Sequence, residues 1–258
     1  MCFVDFPLSI YVRDIITSGK IGKVSRTFAD LSMIMLPEDT FADSHRMVNP
    51  DLAGGALLDL GIYALTWIFQ TLYTTQKDPK APSVLSTMRK YKLGTDEQTS
   101  MLLTFPATSD RGEAHGIATT GMRTGADPDG KGSAGPAIRV QGEAGEIQVY
   151  HPAFRPTKTK LVLKNGTVEE KDWTQPGPGK DSGWKNGFGG DFQPVGEGQG
   201  MFWEADEAAE AVLEGRKEGK YENLAESILI MEIMDEVRKQ GGLEYPSKIE
   251  TLDYPVQL

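Results

Sequence analysis

The amino-acid sequence predicts an α+β fold, built on a mainly antiparallel sheet in one domain of residues 1–258. The first observation is a series of short strand-like runs between residues 84 and 173, separated by turns rich in Gly, Asp and Asn. The second is that the helical segments lie before and after this series. Strands that alternate with helices would predict a parallel sheet, so this order favours antiparallel strands joined by tight turns.

The chain opens with an amphipathic helix and a strand. Leu8, Val12 and Ile15 form an apolar stripe that predicts a helix over Pro7–Ser18. Alternating side chains then predict a strand over Val24–Met35.

The central series supplies the rest of the predicted sheet. Its strands are expected at Val84–Leu93, Gln98–Phe105, Glu113–Thr120, Ala137–Gln141, Glu146–Tyr150, Lys160–Leu163 and Thr167–Trp173. Asn165-Gly166 is a typical two-residue hairpin turn between the last two strands.

Two helices and an extended tail complete the prediction. Apolar spacing predicts helices over Met201–Lys217, with Val212 and Leu213 facing inward, and over Leu224–Lys239. The tail Leu243–Leu258 contains two prolines and is expected to be extended, with the option of an added edge strand.

The most informative stretch is a predicted helix from Gly54 to Gln70, which is apolar on most sides. Asp59 and Tyr63 are four residues apart, so they lie one turn apart on the same face. A carboxylate and a phenol on a largely buried helix are costly unless they are paired or used. The residues alone leave two interpretations open, a satisfied core pair and a functional face.

The loop before this helix, Pro37–Leu52, carries His45 and Arg46. Loops next to the start of a buried helix often carry binding groups, although a solvated loop residue is the simpler interpretation of each.

Composition excludes several classes of function. The net charge of −10 argues against nucleic acid and against an anionic membrane surface. A single cysteine, Cys2, excludes an internal disulfide framework and fits a reducing compartment, so we expect a cytoplasmic protein. Without a run of 18 apolar residues, no transmembrane helix is expected. The three histidines are far apart in sequence, so no metal site is predicted.

Two glycine patterns resemble phosphate-binding loops but lack the required context. Gly130-Lys-Gly132-Ser-Ala-Gly135 matches G-x-G-x-x-G, yet it precedes a strand-like run where a dinucleotide turn needs a helix. The overlapping Gly125–Gly132 pattern has a glycine where a P-loop needs a hydroxyl.

Several motifs, in order, resemble the Gfo/Idh/MocA oxidoreductases. The main one is Arg46-Met-Val-Asn-Pro-Asp-Leu-Ala-Gly54-Gly55-Ala-Leu-Leu-Asp59-Leu-Gly61-Ile-Tyr63. The others are Pro7-Leu8 through Ser18-Gly19-Lys20-Ile21-Gly22, Gly94-Thr-Asp96-Glu97, Gly200-Met201-Phe-Trp-Glu204-Ala205, Leu224-Ala-Glu226-Ser227 and Met234-Asp235-Glu236-Val237-Arg238. The similarity is greatest to the branch of dihydrodiol and NADP-dependent D-xylose dehydrogenases.

The resemblance implies that this chain is the second half of a two-domain enzyme. That half is an α+β domain with an open sheet and helices on one face, and the half with the glycine-rich dinucleotide turn and a catalytic lysine would be missing. Cys2 and Val4 stand near the places where the family carries a tryptophan and a basic residue.

The resemblance also implies site residues, a cofactor and a partner. Tyr63 matches the acid/base of a hydride transfer to NADP, Asp59 would orient Tyr63 or a substrate hydroxyl, and Arg46 would bind sugar hydroxyls. A free phenol ionises near pH ~10, so the family's lysine would supply the cation that the phenol needs. A homodimer through the open sheet face is expected.

Three hypotheses follow for the chain. It is an NADP-dependent sugar or diol dehydrogenase without its cofactor domain, a non-catalytic domain that dimerises, or a sugar-binding module that uses Asp59, Tyr63 and Arg46 without chemistry. The first predicts a Gly-x-Gly-x-x-Gly turn and a Glu-Lys-Pro segment encoded in frame upstream. In all three, residues 1–258 alone are expected neither to bind NADP tightly nor to turn over.

Overall fold

A computed structural model describes residues 2–184 and 195–253. The helices are α1 (Pro7–Thr17), α2 (Pro37–Thr40), α3 (Ile62–Leu72), α4 (Met201–Leu213), α5 (Leu224–Gly241) and α6 (Ser247–Glu250). The strands are β1 (Val24–Ser32), β2 (Ser83–Lys90), β3 (Asp96–Phe105), β4 (Ala114–Gly121), β5 (Pro136–Gly142), β6 (Gly145–Tyr150), β7 (Lys158–Leu163) and β8 (Val168–Asp172). Short 3-10 helices occupy Cys2–Asp5, Pro50–Leu52 and Lys180–Ser182, and a π-helical turn, Leu57–Gly61, leads directly into α3.

The strands form one sheet in the order β2-β3-β4-β1-β5-β6-β7-β8. Among the described strands, only β1 and β4 pair in parallel, because β1 precedes the hairpin series and enters between β4 and β5. All other neighbours are antiparallel, which confirms the predicted fold class. The Asn165 side chain accepts a hydrogen bond from the Thr167 amide at 3.0 Å, so the predicted hairpin turn between β7 and β8 is also confirmed.

Helices α3 and α5 cover the same face of the sheet. The Thr71 hydroxyl of α3 donates to Thr27 of β1 at 3.1 Å. A Cβ atom on Gly116 of β4 would lie 2.5 Å from Ile68, so the glycine lets α3 approach the sheet closely. At the β2 edge, the Gln240 amide of α5 donates to the Val84 carbonyl at 2.9 Å.

The opposite face carries a row of side chains that cross the sheet in register. Leu85, Leu102, Ile117 and Phe28 are directly paired across four neighbouring strands. Leu85 is 70% exposed and Leu102 is 42% exposed. The row continues through Arg139, Gln148, Lys160 and Glu170 on β5 to β8. This row is therefore apolar on β2, β3, β4 and β1 and polar on β5 to β8.

Some predicted boundaries were wrong. Strand β1 ends at Ser32, three residues early, at the point where its partner β4 also ends. Helix α4 ends at Leu213 because Gly215 takes a left-handed conformation, with φ of +70°. Val212 and Leu213 are 77% and 86% exposed, so their predicted inward orientation was wrong.

The predicted edge strand in the tail is not observed, because residues Ser247–Glu250 form a short helix. Residues 254–258 of that prediction lie outside the described part of the chain.

The segment Pro50–Leu72 is long and apolar enough by composition to cross a membrane, but 67% of its most apolar window is buried inside the protein. Phe69, Leu65 and Leu72 of this segment are fully buried in the core. It is therefore the central core helix of the domain.

Candidate functional site

The candidate site is built on the start of the central helix, which Asp96 of β3 holds in place. The Asp96 carboxylate accepts hydrogen bonds from the Leu57 amide at 2.8 Å and the Thr99 hydroxyl at 3.0 Å. A Cβ atom on Gly55 would lie 2.1 Å from Asp96 Oδ1, and Gly55 has φ of +131°. Burial raises the pKa of Asp96 to about 6. Only glycine allows this buried carboxylate to cap the helix so closely.

The predicted helix start at Gly54 was wrong, because the helical hydrogen bonds begin with the π-helical turn at Leu57. A π turn carries one residue more than an α turn and is frequent at functional sites. Asp59 lies inside this turn and Tyr63 in the α-helical turn that follows.

Arg46 reaches the site from the preceding loop. Its Nη1 atom lies 2.5 Å from Asp59 Oδ1, and the two side chains are 66% and 30% exposed. Arg46 thus donates a hydrogen bond to the Asp59 carboxylate. An exposed cation on a partly exposed carboxylate can exchange this contact for a ligand hydroxyl at little cost. His45 does not join the pair: it is exposed, its ring stacks on Phe41, and its Nδ1 atom accepts from the Met47 amide at 3.2 Å.

Aromatic rings surround the Tyr63 ring, which is half-buried. Ring centroids of Phe3 and Phe154 lie 6.1 Å and 6.0 Å from that of Tyr63. Phe3 also stacks on Trp67 at 5.0 Å, and the Trp67 indole donates to the Ala153 carbonyl at 2.9 Å. These contacts fix Tyr63 between the N-terminal segment and the β6–β7 connection.

Phe154, whose ring packs against Tyr63, also lines a cavity of about 740 Å³ that Tyr63 itself does not line. The end of β1, the β4–β5 loop and the β6–β7 connection form most of its wall. Apolar lining comes from Met33, Ile34 and Phe154, and polar lining includes Ser32, Asp127 and His151. A cavity of this size with a few polar groups is typical of a small-molecule site.

One charged group of the wall already has a strong partner. Arg155 is 5% exposed, donates to the Gly198 carbonyl at 3.0 Å and pairs with Glu197 at 2.9 Å. This contact ties residues 197–198 to the β6–β7 connection beside the cavity.

The glycine-rich β4–β5 loop cannot cradle a phosphate in this conformation. The Gly132 amide donates to Asp127 Oδ2 at 2.8 Å, and the Lys131 amide donates to Asp129 Oδ1 at 2.9 Å. Carboxylates of the loop itself thus use the amides that a phosphate would need. We find neither a dinucleotide turn nor a group of three metal-ligating side chains within residues 2–184 and 195–253.

A buried polar network behind the site was missed by sequence reasoning. Arg13 of α1 donates to Gln70 of α3 at 2.5 Å and to the Val4 carbonyl at 2.7 Å. The Gln70 amide donates in turn to Glu226 of α5 at 2.8 Å. Burial raises the pKa of Glu226 to about 7. The network joins the N-terminal segment to the helix that carries Tyr63.

The side chain of Cys2, the residue near which the family has its tryptophan, lies outside the described part of the chain.

The sequence placed Arg46, Asp59 and Tyr63 along one segment, and the structure pairs Arg46 with Asp59. Sequence reasoning did not identify Phe3, Asp96 or Phe154 as neighbours of this segment. Gly55 was the available signal for Asp96, since adjacent glycines at a helix start indicate close approach by another group. No local signal could have identified Phe154, which lies 91 residues from Tyr63 in the chain.

The known proteins that this chain resembles belong to one kind of enzyme, the oxidoreductases. Residues 10–148 match the GFO/IDH/MocA C-terminal domain. D-xylose 1-dehydrogenase (NADP(+)) of Hypocrea jecorina is 48% identical over 252 residues, which cover 95% of this chain and 60% of that enzyme. Human trans-1,2-dihydrobenzene-1,2-diol dehydrogenase is 30% identical over 243 residues, covering 93% of this chain and 60% of that enzyme. The chain thus spans about 60% of the length of these curated relatives.

Solved structures with the same fold are also oxidoreductases. An aldose-aldose oxidoreductase from Caulobacter crescentus, complexed with glycerol, superposes with a TM-score of 0.64 at 14% identity over 93% of this chain and 60% of that chain. A 3-ketoreductase from Actinomadura kijaniata, in complex with NADP and TDP-benzene, gives 0.61 at 18% identity over 93% and 61%. At these identities the similarity establishes the fold alone.

Proposed function

Because the chain belongs to the GFO/IDH/MocA C-terminal domain family, we propose that it is the substrate and acid/base half of an NADP-dependent sugar or diol dehydrogenase. The observation that carries the proposal is the position of Tyr63, four residues after Asp59, which pairs with Arg46 of the preceding loop, and between the rings of Phe3 and Phe154. The names of the two relatives support a sugar or a diol as substrate.

Each site residue has a distinct task in this proposal. The Tyr63 phenol exchanges a proton with the reacting hydroxyl, while Phe3 and Phe154 hold its ring in place. Arg46 and Asp59 bind neighbouring substrate hydroxyls through their exposed side, as donor and acceptor respectively. The rings of Phe3 and Phe154 exclude water from one side of the reacting carbon.

NADP is proposed as the cofactor on the evidence of the relatives. When bound, its nicotinamide would accept or supply a hydride. The loop amides that resemble a phosphate cradle are occupied by Asp127 and Asp129, so the described residues offer no pyrophosphate site. The main cofactor contacts would therefore come from the part of the enzyme to which the other 40% of the relatives' length corresponds.

A chimera tests the proposal. This chain replaces the matching segment of the Hypocrea jecorina enzyme, and NADP+ reduction is followed with D-xylose and with a trans-dihydrodiol. We expect turnover with at least one of them, and a loss of at least ~100-fold for Tyr63→Phe, the usual scale for removing an acid/base group. A folded chimera that binds NADP but oxidises neither compound would refute the proposal.

The chain on its own is the necessary comparison. We expect no turnover from residues 1–258 with NADP+ and either substrate, because the dinucleotide turn is not among the described residues. Turnover by the isolated chain would show that the site needs no second domain. The inactive alternative, a dimerising or sugar-binding remnant, predicts instead that the chimera also fails.

We also propose a homodimer through the open sheet face, in the cytoplasm. The paired row of Leu85, Leu102, Ile117 and Phe28 supports it, because a two-fold axis can bring two such apolar rows together.

Light scattering tests the dimer at micromolar concentration. We expect twice the mass of the chain for the wild type and the monomer mass for Leu102→Glu, which places a charge in the middle of the row. Val212→Glu is the control, since Val212 is equally apolar and 77% exposed but lies on α4. A monomeric wild type, or a dimer that survives Leu102→Glu, would contradict this interface.

A further inference from the structure

The buried network behind the site contains one side chain, Arg13 of α1, that donates hydrogen bonds to two separate elements. Its Nη1 atom donates to Gln70 of α3 at 2.5 Å, and its Nη2 atom donates to the Val4 carbonyl of the N-terminal segment at 2.7 Å. The helix carries Tyr63 and the N-terminal segment carries Phe3, and the centroids of these two rings are 6.1 Å apart. One guanidinium therefore spans the two parts of the chain whose relative position sets this ring contact.

The Phe3 ring packs along the face of α3 that carries the site. Tyr63, Trp67 and Gln70 lie on this face because Trp67 and Gln70 follow Tyr63 by four and seven residues. Phe3 stacks on Trp67 at 5.0 Å, with an angle of 18° between the two planes. The Phe3 carbonyl accepts a hydrogen bond from the Ser9 hydroxyl of α1 at 2.6 Å. Phe3 is thus bound to α1 through its backbone and to α3 through its ring.

The Gln70 side chain fixes the direction in which Arg13 must bind. Gln70 is 1% exposed, and its amide nitrogen donates to Glu226 at 2.8 Å and to the Tyr221 carbonyl at 3.0 Å. These contacts use both amide hydrogens, so the side-chain oxygen is directed at Arg13. The guanidinium also lies 4.4 Å from the centroid of the Tyr221 ring. A buried oxygen that loses its donor is unfavourable, so these contacts favour one position of the guanidinium.

Arg13 itself is not placed to act on a substrate. Both of its terminal nitrogens donate within the protein, and Gln70 lies roughly 10 Å from Tyr63 along the helix axis, at ~1.5 Å per residue. We propose that Arg13 is a positioning residue, which holds Phe3 against the Tyr63 ring by joining the N-terminal segment to α3. The inference rests on the proposed function, in which Tyr63 is the acid/base group.

Aromatic NMR on the 258-residue chain tests the contact without requiring turnover. Arg13→Met removes the two donors and keeps an apolar stem. The chain has eight tyrosines, so the Tyr63 ring signals are assigned as those missing from Tyr63→Phe. We expect Arg13→Met to shift the Tyr63 ring signals and the Trp67 indole signals, because the field of the Phe3 ring at its neighbours depends on distance and angle.

Arg111→Met is the matched control. Arg111 also donates to a backbone carbonyl at 2.7 Å, that of Leu72, but at the opposite end of α3. It is 9% exposed, so its replacement also removes a buried contact of this helix. The Tyr63 ring signals should stay in place in this variant. In Arg13→Lys, one ammonium replaces two guanidinium nitrogens, so the signals should shift less than in Arg13→Met.

The chimera with the Hypocrea jecorina enzyme measures the consequence for turnover. Arg13→Met should lower kcat roughly 10- to 100-fold, the scale for misplacing a reacting group by ~1 Å, and should leave KM within about 2-fold. Phe3→Leu should act in the same way. Because Arg13 acts through Phe3, the double variant should be no slower than the slower single variant. Arg111→Met should keep kcat within about 2-fold of the wild type.

The possible failures are distinguishable. Unchanged Tyr63 signals in Arg13→Met, or an equal shift in Arg111→Met, would overturn the inference whatever the chimera does. Full kcat in the Arg13→Met chimera, or additive losses for Arg13→Met and Phe3→Leu, would also overturn it and leave the proposed function intact. If Arg13→Met does not fold, Arg13→Lys enters the same comparisons with smaller expected effects. A wild-type chimera without turnover refutes the proposed function, while the NMR comparison still decides whether Arg13 fixes the Tyr63 ring.

Discussion

Replacing Glu226 by Gln is expected to stabilise the protein at neutral and alkaline pH. Glu226 is 1% exposed, and its Oε2 atom is buried without a partner in the described structure. Glutamine keeps the acceptor that receives the Gln70 amide at 2.8 Å but removes the charge. The ionised form of Glu226 is thus the unfavourable one in the folded state.

The size and pH window of the effect follow from the raised pKa. Burial raises the pKa of Glu226 from 4.5 to about 7, so folding is favoured below pH 4.5, where the carboxyl is protonated, and this contribution is lost as the pH rises through 7. The shift corresponds to about 3 kcal/mol at pH 8 and under ~1 kcal/mol at pH 5. The free energy of unfolding of Glu226→Gln should therefore exceed that of the wild type by these amounts at the two pH values.

Urea unfolding of both proteins at pH 5 and pH 8 measures the effect as a difference between variants, in which the other titrating groups cancel. Glu232→Gln, exposed on the same helix, is the matched control and should change stability by less than ~0.5 kcal/mol at either pH. The reasoning fails if Glu226→Gln is no more stable than the wild type at pH 8. It also fails if the difference between them is the same at both pH values.

Three further substitutions test the support of the site. Gly55→Ala should lower the free energy of unfolding in urea by about 3 kcal/mol, because of the φ of +131° and the clash with Asp96. Gly94→Ala is the control, with φ of +97° and open space around its Cβ, and should cost at most ~2 kcal/mol. Equal losses in the two variants would refute the clash. Trp67→Phe should cost about 1–3 kcal/mol, since the Ala153 carbonyl loses its 2.9 Å donor, and an unchanged urea midpoint would contradict this. In the chimera, Arg46→Gln should raise KM at least ~5-fold with a smaller change in kcat; a fall in kcat alone would assign Arg46 to the chemical step.

Much of the fold could be predicted from local patterns. Strand alternation reports which side chains face the core, so every central strand was found within about two or three residues of its observed ends. The main errors arose where the local sequence pattern carries little information about which residues meet a neighbouring element. Val212 and Leu213 fit a helical stripe but lie on the exposed side of α4, since the stripe shows periodicity and not which face meets a neighbour.

The position of β1 illustrates a second limit. Its residues predict a strand, but its place between β4 and β5 depends on pairings far along the chain. Only that arrangement aligns Phe28 with Ile117 and Arg139, and so creates a row across the sheet that changes from apolar to polar at β1.

The sequence by itself determined the fold class, the family and the helix with Asp59 and Tyr63, because periodicity and motif spacing are local properties of the chain. The tertiary structure decided what surrounds that helix. It gave Asp59 the partner Arg46, brought Phe154 to Tyr63, and placed Asp96 against Gly55. These contacts depend on strand register and helix packing, which bring together residues separated by many positions, and no local pattern records them.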